Sequence, residues 1–175
     1  MKYKKMKKAG FTLIELMVVI TIIGLLSSIS VVALNEIRKN SRDSKRISDI
    51  ERIQTALEFY FMDNANYPDI HIENGEDIYD HKLGLNNYKA LCESGFKNSC
   101  DAQEKVYMGI IPIPITPPNY SGFYYQKINQ EEPDYKIFFY LEVGFEDLET
   151  GFYTATSNGI YEIIEEDELL LNELL

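Results

Sequence analysis

Residues 11–34 form an apolar run that is broken only by small hydroxyl residues and by Glu15. As a helix, this run of 24 residues would be about 36 Å long, because each residue adds 1.5 Å. The apolar core of a bilayer is about 30 Å thick, so such a helix can cross it. The run therefore predicts a membrane-spanning helix, and a globular body must be built from the residues that follow.

Five lysines lie just before the apolar run, at positions 2, 4, 5, 7 and 8, with no acid among them. Under the positive-inside rule these lysines stay in the cytoplasm, so the remainder of the chain is exported. Three interpretations fit this arrangement. The segment is a secretory signal cut near Ser27, Ser28 and Ser30, an uncleaved anchor, or a leader that is cut before the apolar run.

Glu15 separates the three interpretations. A carboxylate inside a membrane segment costs up to about a few kcal/mol unless it is paired or close to the interface. Neither a secretory signal nor a plain anchor requires a carboxylate at this position. If the chain is cut after Gly10, Phe11 gains a positive α-amine, and Glu15 of a neighbouring copy could pair with that amine. Glu15 therefore favours the leader that is cut before the run.

The order of these features resembles the class III signal of type IV pilins and type II secretion pseudopilins: a lysine-rich leader, Gly10, Phe11, Thr12-Leu13-Ile14, Glu15 and a long apolar run. The resemblance implies cleavage between Gly10 and Phe11 by a prepilin peptidase, N-methylation of the Phe11 amine, and a role in assembly for Glu15. It also implies other pilin-like subunits as partners in a homo- or hetero-oligomeric filament, an assembly ATPase with its platform, and membrane lipid. The protein would cross the cytoplasmic membrane once, with its C-terminal domain exported, and then enter a surface or periplasmic filament.

No glycine or proline interrupts the chain between Gly24 and Pro68, so the helix is expected to run from residue 11 to about residue 63. Beyond residue 35 it becomes amphipathic, with one apolar stripe: Ile47, Ile50, Ile53, Leu57 and Phe61. A group of bases lies just past the membrane half: Arg38, Lys39, Arg42, Lys45 and Arg46. These bases form either a solvated collar near lipid headgroups or pairs with acids of adjacent subunits.

The C-terminal part has the pattern of strands, at residues 122–128, 135–143, 151–156 and 160–164, with Asn158-Gly159 at a hairpin tip. The predicted fold class is α+β, with the long helix packed on a three- to four-stranded antiparallel sheet. Its parts are a leader (1–10), a membrane half of the helix (11–34), an amphipathic half (35–66), a variable loop region (67–118), and a sheet with an acidic tail (119–175). Within the loop region we expect a short helical turn at 88–91 and an extended, proline-rich connector at 111–118.

Two further groups of residues are candidate sites. Cys92 and Cys100 could form a disulfide if the body is exported, and the alternative is two free thiols. Glu146, Asp147 and Glu149 place several oxygens on one loop, which could attract Ca²⁺, as in some pseudopilins. Their spacing matches no EF-hand, so a plain acidic turn is the other interpretation. No other cofactor is expected.

The sequence offers no catalytic arrangement. His71 and His81 match no nucleophile or metal-ligand spacing, and there is no phosphate-binding loop, so we do not expect an enzyme. The net charge of −11 argues against direct binding of nucleic acid. The expected function is a structural subunit of a type IV pilus-like or type II secretion pseudopilus filament. The alternative is a membrane-anchored binding module such as a minor pilin, an adhesin or a DNA-uptake factor. The absence of a proline from the membrane half leans toward a pseudopilin.

Overall fold

The structure of this chain is a computed structural model, and it describes residues 10–69, 82–116, 122–128 and 133–163. The chain divides into two compact units, Met1–Arg38 and Lys39–Leu175, which are treated separately below. Three features of the sequence lie outside the described residues. They are the two histidines, His71 and His81, the end of the predicted connector at residues 117–118, and the predicted acidic tail beyond residue 163.

The first unit contains the apolar part of helix α1 (Leu13–Asn64), which is 52 residues long. Every described residue from 10 to 38 is exposed, including all of the large apolar side chains of the run. The prediction of one uninterrupted helix is confirmed, with a start two residues later and an end one residue later than expected. No glycine or proline interrupts the ladder of backbone hydrogen bonds after Gly24, which explains this length.

The second unit, the body, has its core along the later part of α1. Ile47, Ile50, Ile53 and Leu57 of the predicted stripe are buried, and Phe61 is partly buried against them. They share one hydrophobic cluster with aromatic and aliphatic side chains of the sheet strands, among them Tyr125, Tyr135, Ile137, Phe139 and Tyr153. The helical spacing of the stripe thus predicted which face of α1 the sheet covers.

A small sheet precedes the main one. Strands β1 (Ala90–Cys92), β2 (Gly95–Lys97) and β3 (Val106–Met108) pair antiparallel in the order β2-β1-β3. The helical turn predicted at residues 88–91 is therefore wrong. Its residues pair on both sides, with Leu91 opposite Phe96 of β2 and Met108 of β3. The conformation of residues 90–92 depends on pairing with β3, more than a dozen residues away, and local propensity contains no information on that pairing.

The main sheet has four antiparallel strands in chain order: β4 (Tyr124–Ile128), β5 (Asp134–Leu141), β6 (Gly151–Thr156) and β7 (Gly159–Glu162). The predicted α+β class and the four-stranded antiparallel sheet are confirmed. One detail differs, because Thr156 pairs with Gly159. The tip of the hairpin is therefore Ser157-Asn158, and Gly159 is the first residue of β7, with a φ of 135° that suits glycine.

Candidate functional site

The helix begins with a reciprocal cap between Thr12 and Glu15. Glu15 Oε2 accepts hydrogen bonds from the Thr12 backbone N–H at 2.8 Å and from the Thr12 hydroxyl at 2.6 Å. In return, the Glu15 N–H donates to Thr12 Oγ1 at 3.3 Å. This is a capping box, in which the residue before the helix and the third helical residue satisfy each other's free amides. This role of Thr12 was not predicted, although the Thr-x-x-Glu spacing is the sequence signature of a capping box.

The predicted cleavage position lies just before this cap. Gly10 and Phe11 precede the first helical residue and have no regular secondary structure. Phe11 is 81% exposed, and a Cβ added at Gly10 would meet nothing within 4 Å. A peptidase needs an accessible, non-helical segment, and this part of the chain is both.

The apolar surface after the cap is large and uncovered. In the part of the chain that the structure describes, α1 is the one helix whose length and composition would allow it to cross a membrane. None of its most apolar stretch is buried in the protein. Water-soluble proteins rarely expose a continuous apolar surface of this size, which marks contact with lipid or with another protein. The apolar run therefore anchors the chain in a membrane, which is the coarse localisation that the sequence suggested.

Two of the predicted collar bases are engaged inside the body. Arg42 binds the Glu142 carboxylate with two hydrogen bonds, from Nε at 2.6 Å and from Nη2 at 2.5 Å. Arg46 is 1% exposed and lies 2.8 Å from Glu142 Oε1. For these two residues, both the solvated collar and pairing with acids of adjacent subunits are wrong. Glu142 lies 100 residues after Arg42 in the sequence, so no local pattern could have identified it.

The Glu142 carboxylate is held in its charged form by these guanidinium groups. The hydrogen bond from Arg42 contributes most to lowering the pKa of Glu142, and Arg46 adds to it. Partial burial acts in the opposite direction, because it penalises the charged carboxylate. The attraction outweighs this penalty, so Glu142 remains ionised at neutral pH.

One cysteine, Cys92, is the last residue of β1, and the other, Cys100, follows the end of β2 at Lys97. Cys92 and Cys100 are joined as a disulfide, with Cα atoms 5.5 Å apart. Just beyond the bridge, Lys97 pairs with Asp101 at 3.1 Å and with Glu104 at 3.0 Å. The bridge and these ion pairs hold together a small sheet that contains few core residues.

The three acids proposed as a calcium site do not converge. Their loop is a tight turn, in which the backbone N–H groups of Phe145 and Leu148 each donate to the other residue's carbonyl at 2.9 Å. Glu146, at the corner of this turn, has a left-handed φ of 52°. Within the described residues, no three His, Cys, Asp or Glu side chains are grouped to hold a metal ion. The structure therefore does not gather Glu146, Asp147 and Glu149 into a ligand set.

Comparison with known proteins agrees with these features. The family model of the prokaryotic N-terminal methylation motif matches residues 5–31. The type II secretion system core protein G of Aeromonas hydrophila is 42% identical over 65 residues, which is 37% of this chain and 46% of that protein. The same core protein of Escherichia coli K12 is 45% identical over 62 residues, or 35% of this chain and 43% of that protein.

A type IV major pilin protein, PilA of Myxococcus xanthus, is 33% identical over 69 residues, or 39% of this chain and 31% of that protein. The chain spans less than half the length of each of these relatives. No solved structure matches the chain at a significant level. The chain thus carries a prokaryotic N-terminal methylation motif and, over 62 to 69 residues, is similar to type II secretion system core protein G and to a type IV major pilin.

Proposed function

We propose that this protein is a structural subunit of a filament of the pseudopilus or pilus type, made ready by cleavage after Gly10 and assembled through the apolar part of α1. The observation that carries the proposal is this apolar surface, which is exposed throughout and contains a single carboxylate, Glu15, inside the methylation motif. A bundle of such helices covers apolar surface that one copy leaves open.

Cleavage changes the charges at the start of the helix. Among the described residues, the Glu15 carboxylate has Thr12 of the same chain as its hydrogen-bond partner and forms no ion pair. After cleavage and methylation, the Phe11 amine carries a positive charge, and the Glu15 carboxylate of a neighbouring copy neutralises it. Because a charge pair is strongly attractive where the dielectric constant is low, this contact is selective for a correctly stacked neighbour.

The partners and the location follow from this role. Processing requires a prepilin peptidase, and growth of the filament requires an assembly ATPase and its membrane platform, because the described residues provide no site for energy conversion. The lysines before Gly10 keep the N-terminus in the cytoplasm, and the body is exported. Of the two filament types we favour the pseudopilus, because the identity to core protein G, at 42% and 45%, exceeds the 33% to a pilin.

Three variants of the full chain test the assembly role of Glu15. Glu15→Gln keeps a side chain that can complete the capping box but has no charge, whereas Glu15→Val loses both. Thr21→Val is the matched control, since the Thr21 hydroxyl bonds only to the Met17 carbonyl on the same helix, at 2.8 Å. Filament yield, crosslinking between subunits and the mass of the mature N-terminus are measured for each.

We expect both Glu15 variants to lose filaments and Thr21→Val to keep them, with the N-terminus beginning at Phe11 in the wild-type protein. If Glu15→Gln assembles as well as the wild type, the charge is unnecessary and capping alone explains Glu15. If the mature protein still begins with the leader, or if filaments form without cleavage, the proposed processing is wrong. Loss of secretion on deletion would favour the pseudopilus, and loss of surface pili the pilus.

A further inference from the structure

Three segments of the body that are far apart in sequence meet at one buried group of charges. They are α1, the connector at residues 111–116, and the end of β5 with the loop after it. We propose that Asp43, Arg46 and Glu142, with Arg42 at their edge, form a clasp that locks these segments together, and that the clasp must be closed before a subunit can enter a filament. The second half of this inference rests on the proposed function.

Asp43 forms the centre of the clasp. Its side chain is fully buried, and its carboxylate accepts three consecutive backbone amides: Glu142 N–H at 3.0 Å, Val143 N–H at 2.8 Å and Gly144 N–H at 3.2 Å. Successive amides that point to one place form a site for an anion. Here the anion is a side chain of α1, so the loop after β5 depends on α1 for its shape.

Arg46 joins the third segment. Its guanidinium group is 2.6 Å from Asp43 Oδ1 and 2.8 Å from Glu142 Oε1. Its Nη2 donates to the backbone carbonyl of Ile115 at 2.8 Å. One buried side chain thus connects α1 with both the connector and the end of β5.

The charges of the clasp balance, with two guanidinium groups against two carboxylates. Removing one of them leaves an opposite charge buried without compensation, which is far more unfavourable than losing an exposed ion pair. The clasp is therefore cooperative, and it is either complete or open. An open clasp leaves the three amides without an acceptor and releases the loop 142–150 and the connector.

The order of the chain gives the clasp a place in assembly. Asp43 and Arg46 lie on α1 shortly after the apolar run, whereas Glu142 and its neighbours are nearly one hundred residues further on. The clasp closes only when the C-terminal half of the body has been exported and has folded onto α1. A filament packs many identical bodies side by side, so it requires a body with a single, fixed surface.

Asp49 provides a matched control on the same helix. It is 3% exposed and so almost as buried as Asp43. Its ion pairs are with Lys45, at 3.1 Å, and with Arg52, at 3.6 Å, and both partners belong to α1 itself. Asp49→Asn therefore removes a buried, paired carboxylate without breaking an ion pair between α1 and another segment.

The test compares full-length Asp43→Asn, Asp49→Asn and wild-type protein in membranes. Hydrogen exchange is measured on peptides that cover residues 142–150, the connector and β6, together with leader cleavage and filament yield. We expect Asp43→Asn to accelerate exchange at least tenfold in 142–150 and in the connector, but not in β6. Leader cleavage should be normal, and filament yield should fall severalfold. Asp49→Asn should match the wild type in all three.

Two results would overturn the inference. Unchanged exchange in 142–150, or equal acceleration in β6, means that Asp43 does not lock a local clasp. Normal filament yield with a released loop means that closure is not required for assembly. Should Asp43→Asn not accumulate, Glu142→Gln is judged by the same criteria, because it removes the charge of the other carboxylate of the clasp, which pairs with Arg42 and Arg46. Failure of cleavage in the wild type would instead contradict the proposed function and leave the local exchange result standing.

Discussion

Glu142 is the carboxylate whose charge state should govern how the body responds to acid. Its folded pKa lies below the ordinary value of 4.5, mainly because of the hydrogen bond from Arg42. A lowered folded pKa means that the ionised group stabilises the fold above pH 4.5 and that this contribution is lost as the pH falls through the folded pKa. Both guanidinium groups of the clasp depend on this charge, since Arg42 and Arg46 each form an ion pair with the Glu142 carboxylate.

We therefore expect Glu142→Gln to lower the free energy of unfolding at pH 7 by about 1.5–3 kcal/mol, the range for a hydrogen bond to a charged group. As the pH falls below 4.5 and through the folded pKa, the difference from the wild type should shrink, because the wild-type carboxyl then also becomes neutral. Denaturant unfolding between pH 7 and pH 3 measures both effects. Glu51→Gln, at an exposed position of α1, is the control and should follow the wild-type curve. A constant difference at every pH would show that the charge of Glu142 is irrelevant.

Gly144 is a residue that no other amino acid can replace without strain. Its φ is 101°, and an added Cβ would lie 2.2 Å from the carbonyl oxygen of Leu148. Side chains are disfavoured at such a φ by about 1–2 kcal/mol, and the clash with a backbone atom adds to this. Gly144→Ala should thus destabilise the body by at least about 2 kcal/mol in denaturant unfolding. Gly109→Ala, where the nearest atom is a side-chain carbon at 3.8 Å, should cost much less, and equal effects would contradict this explanation.

At the scale of the elements, the end of α1 shows what the sequence predicted and what it did not. The helix was predicted to end at about residue 63, and the next residues include Asn64 and Asn66, a residue type that tolerates the left-handed conformation. The helix does end at Asn64, but the left-handed residue is Ala65, with a φ of 53° and its N–H bonded to the Phe61 carbonyl at 2.7 Å. The position of the stop thus follows from local chemistry, whereas the local sequence does not identify the residue that adopts the left-handed conformation.

This end of the helix offers a stabilising change. Glycine adopts a left-handed φ without the steric cost that alanine has there, so Ala65→Gly should raise the free energy of unfolding by about 0.5–1 kcal/mol. The same substitution at Ala56, which is buried inside α1, should lower it, because glycine weakens a helix interior. Thermal unfolding of both variants provides the comparison. A decrease in stability for Ala65→Gly would mean that the alanine methyl group makes a contact worth more than the strain.

Neither the small sheet nor the clasp could be predicted from the sequence, and the reason is the same for both. A period of 3.6 predicted the buried stripe of α1, and alternating aromatic runs predicted β4 to β7, because each pattern is local. By contrast, Leu91 takes its conformation from Phe96 and Met108 together, and Asp43 finds its partners about one hundred residues away. The capping box at the start of α1 is also a local pattern, since Thr12 and Glu15 are three residues apart, so the sequence was sufficient to predict it.

The disulfide should matter mainly to the element that it closes. Cys92 and Cys100 are 8 residues apart in sequence, and a loop of this length restricts the unfolded chain by about 2.5 kcal/mol. Reduction, or the double change to serine, should thus destabilise β1 to β3 by about that amount and accelerate hydrogen exchange in 90–108. Exchange in β5 and β6 should change less. Equal loss throughout the body would show that the small sheet and the main sheet unfold as one unit.

At the scale of the whole molecule, the two units have different reasons to be stable. All residues of the hydrophobic core lie at or after Ile47, and the described residues before Lys39 are exposed. The apolar run therefore adds nothing to the described core. The body contains its own sheet, its disulfide and the complete clasp, which begins at Arg42.

This division predicts how far the chain can be shortened. A fragment of residues 39–175 retains the clasp and should be folded and soluble without detergent. A fragment of residues 45–175 retains the same core but lacks Arg42 and Asp43, so Arg46 stays buried beside a single carboxylate and three amides lose their acceptor. We expect the shorter fragment to be less stable by about 3–5 kcal/mol, the usual effect of breaking a buried ion pair. Denaturant unfolding of the two fragments tests this directly.

Equal stability of the two fragments would mean that the core alone holds the body together. An insoluble longer fragment would mean that the apolar run is needed for folding as well as for attachment.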